Sequence, residues 1–373
     1  MMNVQKFIRE FGWDKLKNDL HIIVKEYDCG IRVLNYDQIE SPKNHPVVDE
    51  CRSLVLDSDG NLVSRSFSRF YNYGECFTQD TFSFDDSVVY EKADGSLVGV
   101  YWCPQTDRWE IRTRGTAFAE ANHVFGTKTN WTFREAILDA MRFTEDEFQE
   151  CMSHFSQAIT YVFEYTSPWN RIVTKYTEPK MVLLTGFVNV PNTEVDHVLV
   201  KLAFMALTKR GMNVRLPKVY DLKSIDDCKS ALDDLLPTEE GYVIYCNKTG
   251  SRVKLKSPKY IIMHKLRGNG LLTFNNIAEL VLTNEHEEYL ATFEEDRQFI
   301  EPVVQTLFGL RLVMQAKYNE VCGIIDQKEF ALTVKDLPYS AILFTARKLK
   351  CSTDHAFNVS TLTQQIRLLE KFI

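Results

Sequence analysis

The stretch EKADGSLVGVYWCPQTDRWEIR, residues 91–112, combines a strand pattern with an unusual lysine. Its segments SLVGVYWC and RWEIR are rich in β-branched and aromatic residues, and Pro-Gln-Thr-Asp separates them, which predicts a β-hairpin. Just ahead of the first strand, Lys92 precedes the pair Asp94-Gly95. Lys92 therefore has two interpretations, a solvated lysine beside a turn or a nucleophile directed at a phosphate.

The pattern K-x-D-G alone favours the first interpretation, because it occurs by chance in roughly 5–10% of chains of this length. The second interpretation is chemically specific. A lysine amine can attack a phosphorus atom if burial or cationic neighbours remove its proton. Gly95 would then allow the backbone to approach a bound nucleotide closely. The rest of the chain has to decide between the two.

Similar β-rich segments continue on both sides of this hairpin, over residues 21–256. CRSLVLDSDGNLVSRSF, for example, predicts a second hairpin across Ser-Asp-Gly. Helical patterns intervene at about 117–125, 132–157, 198–211 and 224–235. Hairpins with few β-α-β repeats predict an α+β fold built on antiparallel sheets.

The pattern changes after Ser257-Pro258, where helical periodicity replaces the β-rich segments. Two domains are therefore predicted, residues 1–258 with antiparallel sheets and residues 259–373 with helices only. Two helices of the second domain have clear signals. Thr361 and Gln364 have the spacing of a capping box. The apolar residues that define the face of the other predicted helix are Phe299, Val303, Leu307, Leu310 and Met314.

Composition excludes several classes of protein. The 373 residues include 45% hydrophobic and 25% charged residues, as in ordinary globular proteins, and carry a formal net charge of −7. Nine cysteines without a C-x-x-C pair give little support to a disulfide framework or a zinc site. No segment is apolar enough to span a bilayer, and the N-terminus does not resemble a secretory signal. These features predict a cytoplasmic protein, and a monomer is expected.

The segment Arg252-Val253-Lys254-Leu255-Lys256 is basic on one side. In a strand, alternation directs the three cations to one face and the two apolar residues to the other. One interpretation is a site for an anion such as a nucleotide phosphate. The alternative is an edge strand whose lysines prevent aggregation.

Two glutamates lie within or next to apolar, aromatic strands. Glu164 is part of VFEYT, and Glu240 immediately precedes GYVIY. An acid in such a position could bind a ribose hydroxyl or a metal-bound water. Each glutamate taken alone is more often a surface residue, by roughly three to one, because charged side chains are rarely buried without a partner.

The order of these patterns along the chain is more informative than any one of them. Lys92-x-Asp94-Gly95, Phe163-Glu164-Tyr165, Glu240-Gly241 and Lys254-x-Lys256 resemble motifs I, III, IV and V of covalent nucleotidyltransferases. Within that superfamily, ECRSLVLD, FEYTSPWNRIV, EEGYVIY and VKLKSPKY resemble the phage T4-type RNA ligase 1 family. The resemblance covers roughly residues 30–260 and extends to a helical C-terminal domain without an OB-fold.

The resemblance implies an ATP-dependent RNA ligase that joins 5′-phosphate and 3′-hydroxyl ends through lysyl-AMP and adenylylated RNA. It implies ATP as the nucleotide and Mg²⁺ or Mn²⁺ as the metal. The catalytic residues that it implies are Lys92, which becomes adenylylated, with Glu164, Glu240, Lys254 and Lys256. The ATP-binding residues that it implies are Tyr36, Arg52, Arg69, Lys92, Glu164, Lys254 and Lys256.

Some positions depart from the family pattern or are less certain to align. Ser53 replaces a frequent glycine, and Arg69 replaces a lysine beside the matched pair Tyr71-Asn72. Arg112 and Arg114 also replace lysines. Because arginine keeps the charge but cannot act as a nucleophile, these arginines are interpreted as phosphate clamps. The resemblance further suggests metal contacts by Glu164 through water and by Glu287, although Glu287 also fits an ordinary acid in a helix first turn.

The implied partners are single-stranded RNA or a tRNA broken in its anticodon loop, with a polynucleotide kinase/phosphatase as a functional partner. The implied location is the cytoplasm of a phage-infected bacterium. Two alternatives remain at this point. One is another covalent nucleotidyltransferase, either a DNA ligase or a capping guanylyltransferase. The other is a non-catalytic RNA-binding relative, although the presence of all the motif residues argues against it.

Overall fold

The computed structural model describes residues 1–122, 131–267 and 272–373. These residues form two compact units, Met1–Ile261 and Ile262–Ile373. The first unit contains antiparallel sheets and helices, whereas the described residues of the second contain helices and no strand. The α+β architecture expected from the sequence is thus confirmed, and the first unit ends close to the expected domain boundary after residue 258.

Fourteen strands form the framework of the first unit. They are β1 (Ile22–Glu26), β2 (Arg32–Tyr36), β3 (Arg52–Leu56), β4 (Leu62–Ser64), β5 (Ser87–Glu91), β6 (Ser96–Cys103), β7 (Arg108–Arg112), β8 (Ile159–Thr166), β9 (Lys180–Val188), β10 (Thr193–Glu194), β11 (Val214–Arg215), β12 (Val219–Tyr220), β13 (Gly241–Cys246) and β14 (Arg252–Lys256). Its helices are α1 (Asn3–Asp19), α2 (Pro46–Glu50), α3 (Thr78–Thr81), α4 (Phe133–Met141), α5 (Glu145–Ser153), α6 (His197–Lys209) and α7 (Ile225–Asp233), with short 3-10 turns at Glu75–Phe77 and Pro168–Asn170.

The strands form three sheets. The first sheet has the order β1-β2-β3-β4, and the second has β10-β9-β8-β6-β7 with β11 added parallel to β9. The third sheet has the order β12-β5-β13-β14 and is antiparallel throughout. The hairpin predicted from residues 91–112 is β6-β7, which pairs Gly99 with Arg112 and Cys103 with Arg108.

Each sheet has its own apolar core. Helix α1 covers the first sheet, and α7 contributes Cys228 and Leu232 to the core of the third. The largest core lies under the second sheet, where α4, α5 and α6 pack with residues such as Phe148 and Leu207. These helices cover one face of each sheet. The opposite face of the first sheet packs against β6 of the second sheet through buried residues such as Val33, Val55 and Tyr101. The opposite faces of the second and third sheets border a cavity.

Two helix predictions in the first unit need correction. Residues 117–122 are not helical, and the remainder of the predicted helix, 123–125, lies outside the described residues. The pattern at 132–157 is two helices, α4 and α5. Arg142 ends α4 with a left-handed φ of 63°, and Thr144 starts α5 with its own capping box, which explains the break.

Helix α8 (Pro258–Arg267) connects the two units, and the second unit is entirely helical in its described part. Its helices are α9 (Phe274–Leu282), α10 (His286–Thr292), α11 (Arg297–Val321), α12 (Gln327–Val334), α13 (Ser340–Leu349), α14 (Thr353–Asn358) and α15 (Leu362–Leu369), with 3-10 turns at Glu294–Asp296 and Glu370–Phe372. The capping box of Thr361 and Gln364 is confirmed. Phe299 was predicted on the buried face of α11 but is 54% exposed, and Ile300 is buried instead. Among the described helices, none has the length and apolar character that crossing a membrane requires.

Candidate active site

A cavity of about 390 Å³ lies between the second and third sheets. Strands β5, β13 and β14 line one side of it, and β6, β8, β9 and β10 line the other. Its volume falls within the range of small-ligand sites. The cavity brings together five motif residues that are far apart in sequence, namely Arg52, Lys92, Glu164, Lys254 and Lys256.

Lys92 lies directly after β5 and is held by the residues of motif IV. Its backbone N–H donates to the Gly241 carbonyl oxygen at 2.8 Å. Its Nζ is 2.6 Å from Glu240 Oε2, while Glu240 Oε1 is 2.8 Å from Lys256 Nζ. The Glu240 side chain is only 4% exposed. One buried carboxylate therefore positions two of the predicted catalytic lysines.

Electrostatics in this group favour a charged lysine before any ligand binds. Burial alone would lower the pKa of Lys92, but Glu240 and Glu164 outweigh it and raise that pKa above its ordinary value. Burial opposes ionisation of Glu240 as well, yet Lys92 and Lys256 hold its pKa below the ordinary value. Lys92 and Glu240 are thus an ion pair at neutral pH, and Lys92 must lose a proton before it can act as a nucleophile.

For Lys254, in contrast to Lys92, the surroundings favour the neutral form. Burial, reinforced by repulsion from Arg52, Lys92 and Lys256, lowers the pKa of Lys254 to about 7. The alternation expected for β14 is present, since Val253 and Leu255 are buried and the three basic residues are partly exposed. Among these cations Lys254 has no described acid in contact, and an anionic ligand would stabilise its charged form.

Glu164 lies on β8 and faces the same cavity. Burial raises the pKa of Glu164 to about 7, with Lys92 acting in the opposite direction. Beside it, the register between β8 and β9 shifts at Val162/Phe163, so that Leu184 has no partner and faces the cavity with Thr185. Because of the bulge, two consecutive residues of β9 line the cavity wall next to Glu164.

Asp94 of the K-x-D-G pattern has a structural role. It is buried, and its Oδ2 accepts hydrogen bonds from the backbone N–H groups of Val173 at 2.9 Å and Thr174 at 2.7 Å. Its Oδ1 accepts from the Tyr260 hydroxyl at 2.8 Å. Asp94 thus fixes the turn after Lys92 to the loop that follows β8 and to the first turn of α8.

The two motif glycines are required by close backbone contacts. A Cβ at Gly95 would lie 2.2 Å from the Tyr165 carbonyl oxygen, and one at Gly241 would lie 2.1 Å from that of Leu255. Gly241 also has a φ of 133°. Gly95 was expected to allow the approach of a nucleotide, but its nearest neighbour is the adjacent strand β8.

Guanidinium groups continue from Lys254 towards the first sheet. Arg52 lies 5.3 Å from the Phe70 ring centroid, and Arg69 and Arg114 lie 4.2 Å and 5.2 Å from that of Tyr36. The Nη1 atoms of Arg52 and Arg69 are buried and make no hydrogen bond with the protein. Such donors are costly to leave unpaired, and phosphate oxygens would satisfy them.

Arg112 is not part of this group, and its interpretation as a phosphate clamp is wrong. The side chain is completely buried. Its guanidinium donates to Ser64 Oγ at 2.8 Å, to the Arg65 carbonyl oxygen at 2.8 Å and to Ser53 Oγ. Burial lowers its pKa to about 10. Ser53, at a φ of 56° where glycine is favoured, uses its hydroxyl to bind Arg112.

A pair of substitutions separates these two arginines. We expect Arg112→Ala to lower the free energy of unfolding by about 2–4 kcal/mol, because it leaves buried acceptors unpaired and opens a void. Arg114→Ala should leave the unfolding curve within about 0.5 kcal/mol of wild type but weaken nucleotide binding. Urea unfolding and calorimetry measure the two effects. A stable Arg112→Ala protein with weakened nucleotide binding would restore the clamp interpretation.

Tyr71 and Asn72 lie beside Lys254. The Tyr71 hydroxyl is used within the protein, since it donates to Asp49 Oδ1 at 2.6 Å and accepts from the Asn44 N–H at 2.7 Å. Tyr71 therefore supports Arg69, whose guanidinium lies 5.2 Å from its ring, and does not present its hydroxyl to a phosphate. Asn72 pairs with Lys254 through an isolated parallel β-bridge of the backbone. The Oδ1 atom of Asn72 is buried without a hydrogen-bond partner.

Glu287 lies in the first turn of α10, in the second unit. Its carboxylate is 3.8 Å from Arg297 Nη1. This position agrees with the interpretation of an acid in a helix first turn, and its role towards a metal stays a prediction.

The comparisons with known proteins agree with these motifs. A family model described as RNA ligase, of the T4 RNA ligase 1 type, matches residues 50–260, more than half of the chain. The chain belongs to the T4-type RNA ligase 1 family. The matched range includes every motif residue that faces the cavity.

The individual relatives of this chain differ in length, and the chain covers a different share of each. An Autographa californica nuclear polyhedrosis virus protein, named as a bifunctional polynucleotide kinase/RNA ligase, is 30% identical over all of this chain and 54% of its own length. An RNA ligase of Rhodothermus phage RM378 is 23% identical over 66% of each protein. The chain thus spans about half of the first relative and about two thirds of the second. A Naegleria gruberi RNA ligase mutant solved with ATP and Mn aligns over 54% of this chain and 58% of its own at 16% identity, with a TM-score of 0.42.

The cavity also contains residues that the motifs of the ligase family did not predict. Phe70 packs near Arg52 and Lys254, with the Lys254 Nζ 5.1 Å from its ring centroid. The other unpredicted residues that the cavity contains include Phe67, Tyr90, Leu97, Leu184, Glu194 and Val243. For most of them the sequence offers only apolar character, which is shared with the core. The signal that could have found Val243 and Tyr90 is alternation, counted from Gly241 along β13 and from Lys92 back along β5.

The residues present fit a hydrated metal better than a metal caged by protein. Among the described residues, no three His, Cys, Asp or Glu side chains converge to hold an ion. Magnesium usually keeps several waters and binds through one or two carboxylates and substrate phosphates. Glu164 supplies such a carboxylate beside the cationic group.

Proposed function

We propose that this protein is an ATP-dependent RNA ligase that joins 5′-phosphate and 3′-hydroxyl ends. One observation carries the proposal. Lys92 is fixed by Glu240 inside a cavity in which two further cations, Lys254 and Arg52, have no described acid in contact. A cavity with a positioned amine and two unpaired cations suits a nucleoside triphosphate that is attacked at phosphorus.

The first step is the attack of the neutral Lys92 Nζ on the α-phosphorus of ATP. A nitrogen–phosphorus bond forms, and the bond from that phosphorus to the pyrophosphate oxygen breaks. The ammonium proton must leave first, and Glu240 Oε2, 2.6 Å away, is placed to accept it. Lys254 and Arg52 would stabilise the charge on the phosphates.

Two further transfers complete the joining. An oxygen of the RNA 5′-phosphate attacks the adenylate, so that the bond to Lys92 breaks and an A(5′)pp(5′)RNA end forms. The 3′-hydroxyl of the other end then loses its proton and attacks the RNA phosphorus, and AMP leaves. Mg²⁺ or Mn²⁺ would supply charge neutralisation on the phosphates, with Glu164 binding one of its waters.

The direct test is the joining reaction. Purified protein with Mg²⁺ and ATP should circularise a 5′-phosphorylated single-stranded RNA, and the same RNA without its 5′-phosphate should remain linear. Sealing of nicked duplex DNA in preference to RNA would contradict the substrate. Labelling by GTP in place of ATP would indicate a guanylyltransferase. Binding of RNA without joining or labelling would indicate a non-catalytic relative.

The low pKa of Lys254 leads to a prediction about proton uptake when a nucleotide binds. Because its pKa is about 7 in the free protein, it is mostly neutral at pH 8, and bound phosphates should protonate it again. We expect uptake of up to about one proton for each α,β-methylene ATP bound at pH 8. Calorimetry in buffers of different ionisation enthalpy measures this uptake.

Two variants assign that proton. Lys254→Met should abolish the uptake, whereas Glu164→Gln should retain it, which matters because the pKa of Glu164 is also about 7. A binding enthalpy that does not change with the buffer would show that Lys254 is already charged in the free protein.

The biological setting extends the proposal. A polynucleotide kinase is a suitable functional partner, because the ligation needs a 5′-phosphate and a relative carries that activity in its name. A tRNA broken in its anticodon loop is a suitable substrate, handled by a monomer in the cytoplasm of a virus-infected cell. One relative comes from a phage and another from a nuclear polyhedrosis virus, so the proposal does not restrict the host to bacteria.

A further inference from the structure

The cavity has an end remote from Lys92, and strand β14 shows where it is. Its cavity-facing residues are Lys256, which pairs with Glu240 beside Lys92, then Lys254, then Arg252. At about 3.3 Å per residue, Arg252 lies about 13 Å along the strand from Lys256. Arg252 therefore marks the end of the cavity opposite the reacting group.

Arg252 is not available to a phosphate, unlike the two lysines. Its guanidinium pairs with Glu194 on β10. It also lies 4.1 Å from the Tyr245 ring centroid and 4.7 Å from that of Phe67. Two rings and one carboxylate thus hold Arg252 in place. Arg252 joins the third sheet to the second and fixes Glu194.

Glu194 is held so that one carboxylate oxygen remains available. Its Oε1 accepts hydrogen bonds from both Arg252 and Thr185 Oγ1, the latter at 2.7 Å. No described residue donates to its Oε2, and the side chain, 18% exposed, is part of the cavity wall. A fixed acceptor next to an enclosed space is suited to recognise a donor on a ligand.

Three other polar residues at this end, Tyr90, His197 and Asn247, satisfy one another. His197 Nδ1 is 3.1 Å from the Tyr90 hydroxyl, and His197 Nε2 is 2.8 Å from Asn247 Oδ1. Asn247 in turn donates through Nδ2 to the Asp86 carbonyl oxygen at 2.9 Å. These three side chains thus use their polar atoms on one another, whereas Glu194 Oε2 stays available to a ligand.

The space between the phosphate end and Glu194 is apolar. Leu97 and Leu184 line it from the second sheet, Val195 lines it directly after β10, and Tyr90 and Val243 line it from the third sheet. Apolar walls with one polar group at the end suit a flat aromatic ring that carries a donor on its edge. A purine with an exocyclic amino group has this chemistry.

We propose that Glu194 determines the nucleobase specificity of the protein, by accepting a hydrogen bond from the 6-amino group of adenine. Thr185 and Arg252 act as positioning residues for its carboxylate. The proposal rests on the proposed function, because it places the phosphates at Lys92 and Lys254. None of the ligase motifs in this chain includes these three residues.

The test compares ATP with purine riboside triphosphate, which lacks the 6-amino group. We expect wild type to form the lysyl-nucleotide with ATP about 10–100 times faster at subsaturating nucleotide, the value of one hydrogen bond to a charged group. Glu194→Gln should reduce this preference at least about fivefold. Thr185→Val keeps the shape of the side chain but removes the hydroxyl that donates to Glu194 Oε1. The preference for ATP in this variant should lie between those of wild type and Glu194→Gln.

Asp196→Asn is the matched control. Asp196 is also part of the cavity wall, but its Oδ1 accepts from the Leu199 N–H at 2.8 Å and caps α6. Asparagine is an equally good cap, so this variant should keep the wild-type preference. A general loss of structure would reduce both rates and leave their ratio unchanged.

Several outcomes would overturn the role of Glu194. Equal rates with the two nucleotides in wild type would do so, as would a preference that survives in Glu194→Gln. Faster reaction with GTP than with ATP would overturn adenine as the base that is recognised. If no nucleotide reacts, the proposed function fails. In that case calorimetry can compare the dissociation constants of ATP and purine riboside triphosphate. Their ratio would support or refute base recognition independently of the reaction.

Discussion

Lys92→Ala is expected to abolish the transfer of label from α-³²P ATP to the protein. The substitution removes the amine that forms the bond to phosphorus. Lys256 shares the Glu240 carboxylate with Lys92, but it belongs to a different motif, and the family resemblance assigns the adenylate to Lys92. Loss of a nucleophile typically reduces rates by factors of up to about 10⁶, so labelling should fall below detection. Denaturing gels after incubation with Mg²⁺ measure the covalent product.

Two controls make this result specific. Lys92→Arg retains a cation that can pair with Glu240 but cannot act as a nucleophile, so it should fold well and still take no label. Lys223→Ala, at an exposed position, should label like wild type. Undiminished labelling of Lys92→Ala would mean that another residue carries the adenylate, and the assignment of Lys92 would be wrong.

The sequence was informative where the chemistry requires a particular residue type and where the motifs follow a fixed order along the chain. Lys92, Glu164, Lys254 and Lys256 were predicted from the order of four motifs that resembles the ligase family, and the structure places all four in one cavity. The hairpins were predictable because turn residues and strand periodicity act locally. The role of each residue in the reaction stays a prediction.

The sequence was misleading where tertiary contacts decide the role of a side chain. Arg112 and Arg114 share one short basic segment, yet one is buried against Ser53 and the other lies beside Tyr36. Alternation along β7 separates them only once the strand is known to end at Arg112. Gly95 shows the same limitation, because the neighbour that requires a glycine is contributed by a strand some seventy residues later.

Arg252 and Glu194 illustrate a third limitation. The basic face of β14 was predicted, but periodicity could not show that Arg252 is already paired. Glu194 belongs to a two-residue strand in a polar segment, and nothing in its sequence context distinguishes it from a surface acid. Pairs between sheets depend on loop geometry, which single-sequence patterns do not contain.

Glu240→Gln should slow lysyl-adenylate formation strongly and shift its pH dependence. The side chain bridges Lys92 and Lys256, so the neutral amide leaves two neighbouring ammonium groups without their shared charge. Because Glu240 also accepts the Lys92 proton in the proposed first step, its loss should reduce the rate at neutral pH by about 10²–10³, within the range that a positioned general base typically contributes.

The pH dependence provides the more specific measurement. The wild-type rate should increase with pH, because Glu240 raises the pKa of Lys92 and the reactive amine is neutral. Without Glu240 that pKa decreases, so the rate in Glu240→Gln should reach its lower plateau at a lower pH than in wild type. Single-turnover rates between pH 6 and about pH 10 would show both changes.

The adjacent acid provides the matched control. Glu239 Oε2 accepts from the Leu236 N–H at 3.0 Å and contacts neither lysine, so Glu239→Gln should keep the wild-type rate and profile. If Glu240→Gln lowers the rate but leaves the profile in place, Glu240 positions Lys92 without controlling its ionisation. If neither changes, the ion pair between Lys92 and Glu240 has no part in the reaction, and the amine must be activated by the nucleotide itself.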